Sequence, residues 1–305
     1  SASIKLARAG IVPSPTPVHV APQLESVELS YAVKDWTPEQ GVRLTDAIYE
    51  PYVLQSLTIG GATPHPTALV QSAAMSSVAP PKPSYRPHLP TSVASEAMLS
   101  DAQLESVIYA GEAHSGFLSG SWVVDVTCDK IEAAPDDSEA AVQFRRGWFL
   151  GDGTGAGKGR QVAGIILDNW LKGRRRALWI SVSDRLLEDA QRDWAALGQE
   201  RLLVTPLSRF RQGSSIKLAG GILFTTYATL RSQDRGDKVS RVQQIVDWLG
   251  ADFDGVIVFD EAHAMANAAG GKGGRGDQAP SQQGRAGLRL QHHHQTSRPE
   301  NPPLD

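Results

Sequence analysis

From about residue 99 onward, the apolar positions of the chain alternate between two spacings. Short continuous apolar runs at 147–150, 177–183 and 256–259 have the length of buried strands. Between and around them, Val162, Ile165, Ile166 and Trp170 recur at helical spacing. Leu186, Ala190 and Trp194 do the same, as do Val242, Ile245, Val246 and Leu249. Strand and helix in alternation predict an α/β fold, with a mostly parallel sheet covered on both faces. Trp170, Trp194 and Trp248 fall on the apolar stripes, so they are expected in helix packing rather than as platforms for bases.

The first part of the chain has another character. Val12–Pro17 and Ala79–Pro87 are rich in proline and favour extended chain. Asp46–Tyr52, between them, is turn-like and is expected to lie over the body of the protein. The end differs again, because His292–Asp305 has no apolar period. The expected division is a proline-rich, partly extended region at 1–95, one α/β domain at 96–290 and a tail at 291–305. A proline-rich segment can dock on a protein partner, and a plain linker is the alternative. The three histidines of the tail are read as solvated rather than as a metal tract.

Composition changes this picture little. A hydrophobic content of 41% and a charged content of 21% over 305 residues suit a globular chain with an adequate core. The net charge of −3 gives no global basic signature. Any contact with nucleic acid must therefore be local, and Arg145–Arg146 and Arg174–Arg176 are the visible clusters. Solvated flanks of strands are the alternative for both. Cys128 is the single cysteine, which excludes an internal disulfide and a cysteine-cluster metal site. No stretch approaches the ~20 apolar residues of a membrane span, so no membrane partner is expected. Ser1–Gly10 lacks a sustained apolar region, and a cytoplasmic location is expected.

Chemistry concentrates at two places. Gly151–Arg160 reads Gly-Asp-Gly-Thr-Gly-Ala-Gly-Lys-Gly-Arg, between an apolar run and an apolar-faced helix. Glycines allow successive backbone N–H groups to turn inward around an anion, and a lysine ammonium reaches the outer phosphates. Gly153, Thr154, Gly155, Ala156, Gly157, Lys158, Gly159 and Arg160 are thus the candidate phosphate-binding residues, for ATP with Mg²⁺. One residue departs from the general motif. Gly159 stands where a Ser or Thr hydroxyl ordinarily binds the magnesium ion.

The second place is Val256–His263, four apolar residues running into Asp260-Glu261-Ala262-His263. Carboxylates at a strand end can divide the work of hydrolysis. Asp260 would hold Mg²⁺ through its water shell, and Glu261 would orient and deprotonate the attacking water. His263 would link this motif to a neighbouring one or to nucleic acid. Lys158, Asp260, Glu261 and His263 are the candidate catalytic residues. A further glycine-rich run, Gly270–Gly276, is either another phosphate contact or a loop.

Together these motifs resemble the first RecA-like domain of superfamily-two helicases, with Asp-Glu-Ala-His as the second box. The glycine loop, Gly159 included, is similar to that of the strawberry notch family of helicase-like ATPases. Leu99–Glu105, Ala177–Ser183 and Leu223–Leu230 follow the same order, so the resemblance covers roughly residues 45 to 290. It implies a RecA-like P-loop NTPase fold and a nucleic-acid-dependent ATPase, with DNA the expected polymer. It also implies that Gln103 reads the adenine edge; on its own residues, Gln103 is a solvent-facing position on a helix from Asp101 to Ala110. Ser181, Ser183, Thr225, Thr226 and Thr229 would lie where relatives touch the nucleic-acid backbone, with helix capping the alternative for the two serines.

The resemblance further implies a strand ending in Ser-Ala-Thr and a second RecA-like domain beyond residue 291. Neither follows in this sequence. The expectation is therefore a truncated or frame-shifted first lobe whose sheet is incomplete at the C-terminus, binding nucleotide with negligible turnover. A nonhelicase P-loop regulator and an inactive remnant serving as an interaction fragment are the alternatives.

Overall fold

The computed structural model of the chain describes residues 26–37, 48–125, 130–135, 137–200, 203–230 and 240–265. Gly270–Gly276, Cys128 and the histidine tract lie outside the described residues. Three pairs of short antiparallel strands open the described chain. β1 (Ser26–Glu28) pairs with β6 (His88–Pro90), β2 (Tyr31–Val33) with β4 (Leu57–Ile59), and β3 (Tyr49–Pro51) with β5 (Val70–Ser72). Next come helix α1 (Asp101–His114) and a hairpin of β7 (Ser121–Val124) and β8 (Ile131–Ala134). The glycine loop then leads into α2 (Lys158–Leu171).

The α/β body is built on β9 (Arg176–Ser181), β10 (Val204–Pro206), β11 (Gly221–Thr226) and β12 (Val256–Phe259). They form one parallel sheet in the order β10-β11-β9-β12. Two further helices, α3 (Leu187–Ala195) and α4 (Arg241–Leu249), complete it. Strand periodicity divides the core. Ala177 and Trp179 of β9, with Ile222 and Phe224 of β11, face a cluster shared with Leu104, Ile166 and Trp194. Leu178, Ile180 and Leu223 point the other way, onto Ile245 and Trp248. The sheet is thus covered on both faces, as the alternating pattern predicts. Trp170 and Trp194 meet with ring centroids 6.3 Å apart, joining α2 to α3.

Residues 147–150 do not form the buried strand that their apolar character suggests. Phe149 is 82% exposed, and Trp148 instead stacks on Tyr109 at 6.2 Å. Among the described residues β12 pairs on one side only, with β9, and residues 147–150 do not join its other edge. The N-terminal strands are more deeply involved than extended chain would be. Leu29, Tyr31, Leu57, Ile59 and Leu89 are buried in the same cluster as α1 and α2.

A buried carboxylate ties these parts together. Asp168, on α2, accepts hydrogen bonds from Tyr85 Oη at 2.5 Å and His88 N at 2.7 Å. Lys172 Nζ lies 3.2 Å from the same side chain. One residue of α2 therefore satisfies three donors, two of them from the proline-rich segment.

Candidate functional site

The turn 172–175 is short, so α2 must run back against the direction of β9 and start at the carboxyl edge of the sheet. β12 is parallel to β9 and ends at that same edge, and α2 packs against it. Open α/β sheets bind ligands there. Topology thus brings the glycine loop and Asp260-Glu261 to one edge.

Gly157 caps α2 with φ 71°, the left-handed region where only glycine is free of strain. Gly153, Thr154 and Gly155 are exposed in the loop, leaving it open for an anion. Lys158 Nζ donates to the carbonyls of Asp152 and Gly153, at 2.9 and 3.4 Å, so the ammonium lies over the loop.

Two glutamines shape the loop from beneath. Gln103 is buried rather than solvent-facing: its Oε1 accepts from Ser100 N and its Nε2 donates to Ala156 O, both at 3.0 Å. It completes a capping box with Ser100 at the start of α1. Gln161, in the first turns of α2, donates to the same carbonyl at 3.1 Å and to Asp152 Oδ2 at 2.9 Å. The sequence reading did not single out Gln161. The Ser-x-x-Gln spacing at 100–103 was a legible signal for the cap, but nothing in the linear sequence shows two amides meeting at Ala156.

Gly159 has a steric reason. A Cβ there would collide with Asp193 Oδ2, from α3. The ordinary Ser or Thr has no room while that carboxylate is in place. Burial pushes the Asp193 carboxyl above its usual range, against the pull of Arg192 and Arg160. Restoring the general motif with Gly159→Thr is expected to destabilise the fold by about 1–3 kcal/mol through overpacking. Adding Asp193→Ala should return most of that loss, as urea denaturation of the single and double variants would measure.

At the end of β12, Asp260 N continues the ladder by donating to Ile180 O at 2.8 Å. Ser181 Oγ donates to Asp260 Oδ2 at 2.8 Å, and Tyr227 Oη to Asp260 O at 2.9 Å. Burial, with the carboxylates of Asp260 and Glu261, holds the Tyr227 phenol above its usual pKa, so it remains a donor. Glu261 then turns the chain with φ 52°, unusual for a residue with a side chain. His263 Nδ1 lies 3.1 Å from Glu261 Oε2, and both side chains are well exposed. Mg²⁺ takes one or two carboxylates and completes its shell with water and phosphate. The donor set fits that ion, since Asp260 Oδ1 has no hydrogen-bond partner among the described residues and is a suitable outer ligand.

The basic clusters are largely engaged inside the domain. Arg145 and Arg174 both bind Asp254, at 3.0 and 2.7 Å. Arg176 Nη1 donates to the carbonyls of Trp248 and Leu249 at the end of α4, and Arg146 Nε donates to Phe117 O at 3.1 Å. Ser183 caps the turn that follows by accepting from Arg185 N, as the capping alternative expects. Thr226 and Thr229 bond each other at 3.0 Å. Thr225 Oγ1 is buried without a hydrogen-bond partner among the described residues.

A parallel α/β sheet with a glycine loop opening a helix at its carboxyl edge defines a P-loop NTP hydrolase domain. The family model described as P-loop containing NTP hydrolase pore-1 matches residues 64–299. Protein strawberry notch homolog 1 of Rattus norvegicus is 38% identical over 250 residues, which are 80% of this chain and 18% of that protein. Protein strawberry notch of Drosophila melanogaster is 38% identical over 237 residues, 75% of this chain and 13% of its own length. Protein FORGETTER 1 of Arabidopsis thaliana is 35% identical over 216 residues, 69% and 15% of the two chains. The chain belongs to the strawberry notch family of P-loop NTP hydrolases. It spans less than a fifth of the length of these relatives. No solved structure matches it significantly.

Proposed function

We propose that this domain binds ATP with Mg²⁺ and is the first lobe of a nucleic-acid-dependent, DEAH-box type ATPase acting on DNA. The carrying observation is the shared edge, where α2 begins with the glycine loop and β12 ends in Asp260-Glu261. In this reading the backbone of residues 153–159 cradles the phosphates, and Lys158 and Arg160 supply positive charge. Asp260, oriented by Ser181, takes the water shell of Mg²⁺. Glu261 accepts a proton from the attacking water, and His263 orients Glu261 through their contact. Gln103 acts by holding Ala156 and so sets the loop for the nucleotide. Coupling hydrolysis to movement along DNA calls for an arginine from a second lobe, and that step belongs to the whole protein.

Titration with a fluorescent ATP analogue plus Mg²⁺ tests the reading. Lys158→Ala removes a charge-assisted contact worth about 1.5–3 kcal/mol, so binding is expected to weaken roughly 10- to 100-fold. Circular dichroism should show both proteins equally folded. Equal affinity in the two would overturn the assignment of the loop.

A second reading is favoured by the way the basic and hydroxyl groups are used. Ser181 is committed to Asp260, and Arg145 and Arg174 to Asp254, within the domain. A regulator whose nucleotide state controls a protein partner, reached through the N-terminal region, needs none of them free. Salt-sensitive DNA binding by the chain would decide for the first reading, since phosphate contacts release counterions.

A further inference from the structure

The general glycine-loop motif carries a hydroxyl ligand for Mg²⁺ on the residue after its lysine, and Gly159 has no side chain to offer. We propose that Asp193, reaching across from α3, supplies the missing ligand, its carboxylate taking the magnesium ion in place of that hydroxyl. The inference rests on the reading that the loop binds a nucleoside triphosphate with Mg²⁺.

Position is the first support. A Cβ on Gly159 would run into Asp193 Oδ2, so a carboxylate oxygen already fills the space where a Ser or Thr side chain would begin. Packing holds it there. Ala190 and Trp194 of the same helix are buried, and Trp194 meets Trp170 of α2. Asp193 also lines the open space beside the loop together with Gly155, Gly157 and Arg160, so the way from the loop to the carboxylate is clear.

Charge is the second support. Asp193 is half-buried, yet it makes no hydrogen bond or ion pair among the described residues. Its neighbour Arg192 turns to Asp189 at 2.7 Å, and Arg160 acts on it through its field alone. It also stands in the last turn of α3, the end of a helix where the backbone dipole disfavours a negative charge. A carboxylate held partly out of water without a partner costs stability, and a bound cation offsets that cost. Mg²⁺ is held by one or two carboxylates besides water and phosphate, and Asp193 with Asp260 makes up that set.

A carboxylate differs from a hydroxyl in its charge. Without the ion Asp193 repels the phosphates, and with the ion the repulsion becomes attraction, so nucleotide binding should depend steeply on Mg²⁺. Calorimetric titration of the whole chain with ATP, once with Mg²⁺ and once with the metal chelated, reads this without any turnover. Asp193→Asn keeps the shape and drops the charge. It is expected to weaken ATP with Mg²⁺ about tenfold and to bind metal-free ATP as well as the parent does, or better. Gly159→Thr combined with Asp193→Ala moves the ligand back onto the loop and should bring binding with Mg²⁺ to within about threefold of the parent. Unfolding midpoints near that of the parent would show that both variants are folded. If Asp193→Asn leaves the ratio of the two affinities at the parent value, even while both fall together, Asp193 is not a metal ligand and the proposal is overturned. The glycine-loop reading then stands so long as Lys158→Ala still weakens ATP. If Lys158→Ala changes nothing, the loop reading falls and this inference falls with it.

Discussion

Replacing Asp168 by alanine is expected to destabilise the folded chain by about 3–5 kcal/mol, the cost of removing one partner from a buried charged network. The side chain is only 2% exposed, and its loss strands Lys172 Nζ, Tyr85 Oη and His88 N. Tyr85 Oη and His88 N gave up water on folding and would lose that acceptor, while Lys172 Nζ would keep only the Arg86 carbonyl, at 3.0 Å. Against a total stability of about 5–15 kcal/mol for a typical domain, that loss is large. Asp168→Asn keeps an acceptor for His88 N but not the charge, so it should fall between the variant and the parent. Urea denaturation followed by circular dichroism gives the order. Proteolysis should show the segment around Tyr85 cut first in the alanine variant, because Asp168 is what ties that segment to α2. An alanine variant within about 1 kcal/mol of the parent would mean that apolar packing alone holds the N-terminal part in place.

That network also shows which parts of the molecule were legible in the sequence. Periodicity located α2, α3, α4, β9 and β12, since their burial follows from one-dimensional spacing. The glycine loop and Asp260-Glu261 were legible because their chemistry is local. Phe149 misled, because a short apolar run carries no period that separates a strand from a loop, and here Phe149 is exposed while Trp148 packs on Tyr109. The arginine clusters pointed toward nucleic acid, yet Asp254, far along the chain, draws Arg145 and Arg174 inward. Proline content set residues 1–95 apart from the domain, while Tyr31, Leu57 and Leu89 pack into its core and Tyr85 bonds to Asp168. Gly159 stood out as a departure in one dimension. Only the position of Asp193 explains it.

Glu105→Gln is expected to stabilise the protein above neutral pH and to change little in acid. Glu105 is buried on α1, its Oε2 accepting from Tyr52 Oη in the N-terminal region. Burial raises its pKa from 4.5 to about 7; the Tyr52 hydrogen bond opposes the rise, and Asp101 and Asp152 reinforce it. Below the unfolded value of 4.5, the carboxyl is neutral in both states and its folded environment suits it. As pH climbs from 4.5 toward 7 the unfolded chain ionises first, so stability is lost; above 7 the folded group ionises too and the loss levels off. A rise of that size corresponds to about 3 kcal/mol. Glutamine keeps an acceptor for Tyr52 without the titration, so the gain over the parent should grow from near zero at pH 4.5 to about that value at pH 8. Tyr52 and Tyr109, the other titratable groups beside it, are both held above their usual range and stay neutral throughout. Denaturation midpoints of parent and variant at several pH values give the difference directly, and parallel curves from pH 5 to 8 would sink the idea. The effect bears on the proposed function through Asp152, whose carbonyl holds Lys158 and whose carboxylate holds Gln161. A second negative charge gained at Glu105 in alkali stands beside a loop built to receive phosphate, so nucleotide affinity in the parent should decline over the same pH range and in the glutamine variant should not.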